Sequence, residues 1–169
     1  MFMDMYAVTV PVFDRMLGNM QTWVRIARDH AKAKGFDESV YLTLRLVPDM
    51  LPLSRQIQIA SDSAKSAVGR LAGMEVPSWP DDEATLDELI ARLQKTRDFV
   101  TSVSAAQIDG SETRAITVPR RDKEPHRFQG EDFIRFFATP NFYFHATTLY
   151  ALLRHAGVPI GKMDFLGRS

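Results

Sequence analysis

Apolar residues recur at every third or fourth position over four stretches of the chain, and each stretch predicts an amphipathic helix. The first runs from about Val10 to Lys34, with Phe13, Met16, Leu17, Met20, Val24 and Ala27 on one face. Pro11 lies in its first turn, where a missing N–H is harmless, and Gly35 follows the last turn as a left-handed cap. Asp37 to Leu46 is a shorter amphipathic piece. Pro52 then opens the second helix, which carries Leu53, Ile57, Ala60, Ala64, Val68 and Leu71 and stops at Gly73. Its small residues Ala60, Ala64 and Ala67 let a neighbouring helix approach closely. Pro77 and Pro80 mark a loop.

The third helix begins with Thr85-Leu86-Asp87-Glu88, a capping box in which each polar side chain bonds the other's backbone N–H. Leu86, Leu89, Ile90, Leu93, Val100 and Val103 form its buried face. Thr113 to Val118 alternates as a strand does, with Arg127 to Gln129 as its partner across the polar Pro119–His126 turn. The fourth helical stretch, Glu131 to Ala156, is the most aromatic, and Pro140 within it predicts a kink or a split. These elements make an all-α four-helix bundle with a short β-hairpin between helices 3 and 4. Gly161 to Ser169 is too polar and Gly-rich to continue a helix. Either Lys162 and Asp164 pair there, or the segment folds back over the bundle end with Phe165 and Leu166 as anchors, as part of the core or as a lid over the cleft.

Length and composition narrow this picture. With 169 residues, 45% of them apolar, residues 1–169 fit one domain around one core. Lys and Arg number 21 and Asp and Glu 21, so the net charge is zero. That balance argues against a nucleic-acid binder and against a polybasic membrane module. Cysteine is absent, which excludes disulfides, thiolate metal sites and a Cys nucleophile. Met1 to Val12 lacks the charge order of a secretory signal, and the longest apolar run, Leu149 to Leu153, is far short of the roughly 20 residues that span a bilayer. A cytoplasmic location is the expectation.

A few polar residues intrude on the helix faces. Asn141 and His145, four apart, lie in line with Ile134, Thr148 and Leu152. Each costs about 1–3 kcal/mol if buried without a partner, so the two are either hydrogen-bonded core residues or parts of a site. Arg55, Gln56 and Gln58 lie near one bundle end and form either a polar mouth or solvated surface. Asp62 with Lys65 reads as an exposed ion pair. The mixed-sign run Arg120 to Glu124 reads as a solvated hairpin tip. Four histidines, His30, His126, His145 and His155, are available to a nucleophile, but Gly-x-Ser-x-Gly, His-Glu-x-x-His and a phosphate-cradling Gly-rich loop are all missing.

Three segments carry a resemblance: Asp49-Met50-Leu51-Pro52-Leu53-Ser54-Arg55-Gln56-Ile57-Gln58-Ile59-Ala60, Pro140-Asn141-Phe142-Tyr143-Phe144-His145, and the ending from Leu153 to Gly167. Together they resemble a bacterial domain-of-unknown-function family of the DinB/YfiT-like superfamily. The resemblance implies a four-helix bundle, often a homodimer, with a metal-binding cleft in many members, some of them metal-dependent thiol transferases or hydrolases. The superfamily's usual triad is one His on the second helix and two His four apart on the fourth. Carried over, these positions fall at Gln58, or Gln56 if the register slips, and at Asn141 and His145.

Only His145 remains an imidazole, and neutral amide oxygens bind zinc or nickel far less well than imidazole, thiolate or carboxylate. The expectation is therefore a small-ligand-binding or structural homodimer with a degenerate metal site and no resident cofactor. Its ligand-binding candidates are Arg55, Gln56, Gln58, Asn141 and His145. The competing expectation is a metal-dependent or His-assisted transferase or hydrolase acting on a small molecule, with His145 as base or sole imidazole ligand, a Zn or Ni ion, and Arg55 or Arg154 holding an anionic group. The aromatics Phe133, Phe136, Phe137, Phe142, Tyr143 and Phe144 surround one helix and cannot all be buried within a monomer, so some are expected at a dimer face.

Overall fold

The computed structural model describes residues 4–167. Helix α1 (Val10–Lys34) is followed by a 3₁₀ turn (Glu38–Tyr41), α2 (Leu53–Leu71), α3 (Leu86–Thr101) and a short α4 (Ala105–Ile108). An antiparallel hairpin, β1 (Ala115–Arg120) and β2 (Lys123–Gln129), leads into α5 (Gly130–Asp132), a π-helical stretch (Phe133–Ala138), α6 (Thr139–His155) and α7 (Lys162–Leu166). The protein is thus an all-α four-helix bundle of α1, α2, α3 and α6, with the hairpin between the last two. Helix α1 packs chiefly on α3, α2 on both α6 and α3, and α6 closes the ring against α1.

Local chemistry sets the boundaries. Gly35 ends α1 at φ 74°, and the Thr85–Glu88 capping box starts α3 with both reciprocal bonds made. Only Glu38–Tyr41 of the Asp37–Leu46 piece is helical. It is pinned where Tyr41, buried, meets His30 Nδ1 at 2.7 Å through its hydroxyl. The hairpin is longer than its alternating residues suggest, pairing Ala115 with Gln129 through to Arg120 with Lys123. Its tip, Arg121 and Asp122, is exposed as expected.

Pro140 does not split the fourth helical stretch, which runs on unbroken through it. It has no N–H for the carbonyl four residues back, and its ring crowds that turn. The chain widens instead: the Thr139 N–H bonds the Ile134 carbonyl, five residues back, at the end of the π stretch. Phe133, Ile134 and Phe142 are buried, while Phe136 and Phe144 are 69% and 56% exposed on one ridge with Pro140 and Thr147.

The core is built from Phe13, Leu17, Met20 and Trp23 of α1, Leu53 and Ile57 of α2, Leu86, Leu89 and Leu93 of α3, and Phe142, Leu149 and Leu153 of α6. The chain ending folds back as expected, but as a helical turn. Phe165 stacks on Trp23 at 5.3 Å between ring centres, Trp23 Nε1 donates to the Asp164 carbonyl at 3.0 Å, and Asn19 Nδ2 donates to the Phe165 carbonyl at 2.9 Å. Leu166, expected as a second anchor, is half exposed. Asp164 also accepts from the Gly161 N–H, which starts the turn despite the composition. Arg168 and Ser169 of that ending, and Met1 to Met3, lie outside the described residues.

Candidate functional site

Gln56 and His145 meet inside the α2–α6 seam. Gln56 Nε2 donates to the Leu51 carbonyl at 2.8 Å, which turns its oxygen toward His145. That oxygen lies 2.7 Å from His145 Nδ1, so Nδ1 carries the proton and donates. In neutral His145 the lone pair is consequently on Nε2. Burial holds the imidazole pKa below its ordinary value, which keeps the ring neutral near pH 7.

One turn back along α6, half-buried Asn141 donates through Nδ2 to Ser63 Oγ at 2.7 Å. Gln56 and Ser63 are seven apart on α2 and therefore share a face. Gln58 lies on another face and turns to the segment before α3. It receives a bond from Arg55 Nη1 at 2.7 Å and donates to Glu83 Oε2 at 2.8 Å. The structure thus brings His145 to Gln56, the alternative register, and gives Gln58 and Asn141 separate partners. Arg55 also pairs with Asp81 and belongs to the Gln58 side, not to His145. Arg154 donates weakly to the Val158 carbonyl, beyond the end of α6.

These donors do not fit a zinc or nickel ion. The Gln56 oxygen is used by His145 and the Gln58 oxygen by Arg55, Asn141 is held through its Nδ2 by Ser63, and neutral amides are poor ligands for such ions. Among the described residues no three His, Asp or Glu side chains are grouped to hold a metal.

A second polar cluster lies where the loop before α3 crosses α2, and only its Asp62–Lys65 pair is foreshadowed by sequence. Arg92, its side chain 2% exposed, donates through Nη1 to Glu83 Oε1 at 2.9 Å and to the Pro80 carbonyl at 2.8 Å. Its Nη2 lies 2.9 Å from Asp81 and 3.2 Å from Asp62. Burial alone would lower the Arg92 pKa, but the Glu83 hydrogen bond and the three carboxylates outweigh it and raise it further. Lys65 pairs with Asp62 at 2.9 Å and sits 4.1 Å from the Trp79 ring centre, with Lys95 at 4.5 Å. The Asp62–Lys65 pair is therefore not the exposed one that i,i+3 spacing suggests, because the Trp79 loop covers Lys65. The available signal was Arg92 itself, three residues beyond Leu89 and so on the buried stripe of α3.

The neutral, buried state of His145 has a consequence for stability. The unfolded chain takes up a proton near pH 6.5 while folded His145 resists it, so the unfolded state binds more protons as pH falls below that value. The His145 contribution is complete above about pH 6.5 and is lost as pH drops through its lower folded pKa. Urea unfolding of wild type and His145→Gln between pH 7.5 and pH 5 (values on the order of the free imidazole range) should show a steeper loss for wild type. Parallel curves would refute the assignment.

A bundle of α1, α2, α3 and α6 with an inserted hairpin and an α2–α6 seam bearing His145 defines a DinB-like protein. A family model described as Domain of unknown function (DUF1993) matches residues 5–166, and the chain belongs to that family. A solved structure described as a DinB family member protein from Shewanella denitrificans is 38% identical. The alignment covers 97% of this chain and 92% of that one, with a TM-score of 0.89. No curated protein matches the chain. Among the described residues no helix is long and apolar enough to cross a membrane.

Proposed function

We propose that this chain is a metal-independent, cytoplasmic DinB-like bundle that binds a small ligand and works as a homodimer. The observation that carries the reading is the buried 2.7 Å bond between His145 Nδ1 and Gln56 Oε1, which uses for a hydrogen bond the oxygen an ion would need. The separate bonds of Asn141 to Ser63 and of Gln58 to Glu83 support it. The dimer reading rests on the ridge of Phe136, Pro140, Phe144 and Thr147, whose two phenylalanines are more than half exposed, and such a row favours burial against a second copy.

One preparation made without chelator tests both parts. Elemental analysis is expected to find far less than one zinc or nickel per chain, and stoichiometric metal would overturn the metal-independent reading. Sedimentation at low micromolar concentration is expected to give a dimer of the 19.1 kDa chain, and Phe144→Glu to give the monomer. A wild-type monomer would overturn the dimer.

A further inference from the structure

The widened turn forced by Pro140 does more than relieve a missing hydrogen bond. It carries Phe133, Phe137 and Ala138 past α2 and β1, and between them lies a recess of about 230 Å³. Ile59, Val118, Phe133 and Phe137 supply apolar walls. Apolar cavities on the order of 150 Å³ admit a benzene ring, so this recess has room for one ring and a substituent. π-Helical turns of this kind are frequent at functional sites.

The polar edge of the recess fixes what the substituent must be. Asn141 spends its Nδ2 on Ser63 Oγ, and its Oδ1 accepts no hydrogen bond among the described residues. Lys65 and Arg92 both meet Asp62 through Oδ1, so Asp62 Oδ2 is a second acceptor without a bond there. Ser66 Oγ accepts from Arg70 Nε at 2.8 Å, and Arg70 in turn donates to the Thr117 carbonyl, which braces β1 against α2 as one wall. Two open acceptors call for a ligand that donates. The Asp62 charge is already matched by Lys65 and Arg92, which disfavours a cation, and the carboxylate itself repels an anion.

We propose that this recess binds a neutral single-ring aromatic molecule bearing an O–H or N–H donor, its ring against Phe133 and Phe137 and its donor on Asn141 and Asp62. The inference rests on the small-ligand reading above and names the site and the ligand class. Phenol and toluene are suitable probes, since they share the ring and differ in the donor. Backbone amide shifts of the whole protein, followed by NMR up to the solubility limit of each probe, are expected to saturate at Ile59, Ser63, Val118, Ala138 and Asn141. Phenol is expected to bind about tenfold tighter than toluene, the value of one well-made hydrogen bond. In Asn141→Leu that preference should shrink to about twofold.

Equal affinity for the two probes would overturn the donor assignment. Saturable shifts confined to the His145 region or to the Phe136–Phe144 ridge would overturn this site while leaving the small-ligand reading in place. No saturable shift with either probe would overturn the inference. The metal and sedimentation measurements judge the broader reading separately.

Discussion

Gly130→Ala is expected to destabilise the protein by about 3 kcal/mol, the upper end of what overpacking usually costs. A Cβ at this position would stand 2.0 Å from the Ser111 carbonyl oxygen and 3.3 Å from Leu71 Cδ2. The first contact is with backbone, which cannot rotate away as a side chain can. The 111–114 turn is held over Gly130 by the Glu131 N–H bond to the Glu112 carbonyl at 2.9 Å, and Arg114 fastens the same turn to the Leu71 carbonyl at the end of α2. Relief would require the hairpin and the helix after it to part from α2. For a chain of this size the loss corresponds to roughly 6–12 °C in Tm. Gly110→Ala is the internal control: its Cβ meets nothing within 4 Å, and only the φ of 82° penalises it, by about 1–2 kcal/mol. Thermal unfolding of the two variants side by side decides the matter, and equal losses would show that the Ser111 contact yields.

Arg92→Met is expected to remove about 3 kcal/mol as well, by a different route. Arg92 is, with Lys65, a buried member of a cluster whose cations, Arg55, Lys65 and Arg92, equal its anions, Asp62, Asp81 and Glu83, in number. Without it the anions are in excess, and Glu83, only 12% exposed in its side chain, cannot easily rehydrate. Asp62 and Asp81 are 45% and 32% exposed and can recover water, which keeps the loss from being larger. Arg92→Lys keeps the charge but not the fork that reaches Glu83, Pro80 and two aspartates at once, so its loss should fall between those of wild type and Met. Chemical denaturation of the three proteins checks the order, and a Met variant within about 1 kcal/mol of wild type would show that the carboxylates rehydrate freely.

Much of the bundle was legible because its signals are local. The three-and-four spacing in α1, the capping box at Thr85 and the αL residue Gly35 each depend on a few neighbours, and they placed helix ends within one or two residues. The seam was half legible. His145 and Gln56 were both candidates, but choosing Gln56 over Gln58 needs the rotation of α2 against α6, which no single helix encodes. The Arg92 cluster was least legible, because Asp62, Asp81, Glu83 and Arg92 come from two helices and a loop whose acidic composition reads as solvated. α7 was missed for a similar reason: its short turn is stabilised by Trp23 and Asn19 from the far end of the chain.

The chain contains only two tryptophans, and the fold assigns them to different jobs. Trp23 is stacked in the core under Phe165, whereas Trp79 lies in the outer loop beneath two lysine ammonium groups. Their emission is therefore a pair of built-in optical channels, one reading the docking of the chain's last turn and the other the closure of the acidic loop. Replacing either indole with phenylalanine isolates the other channel without attaching any dye.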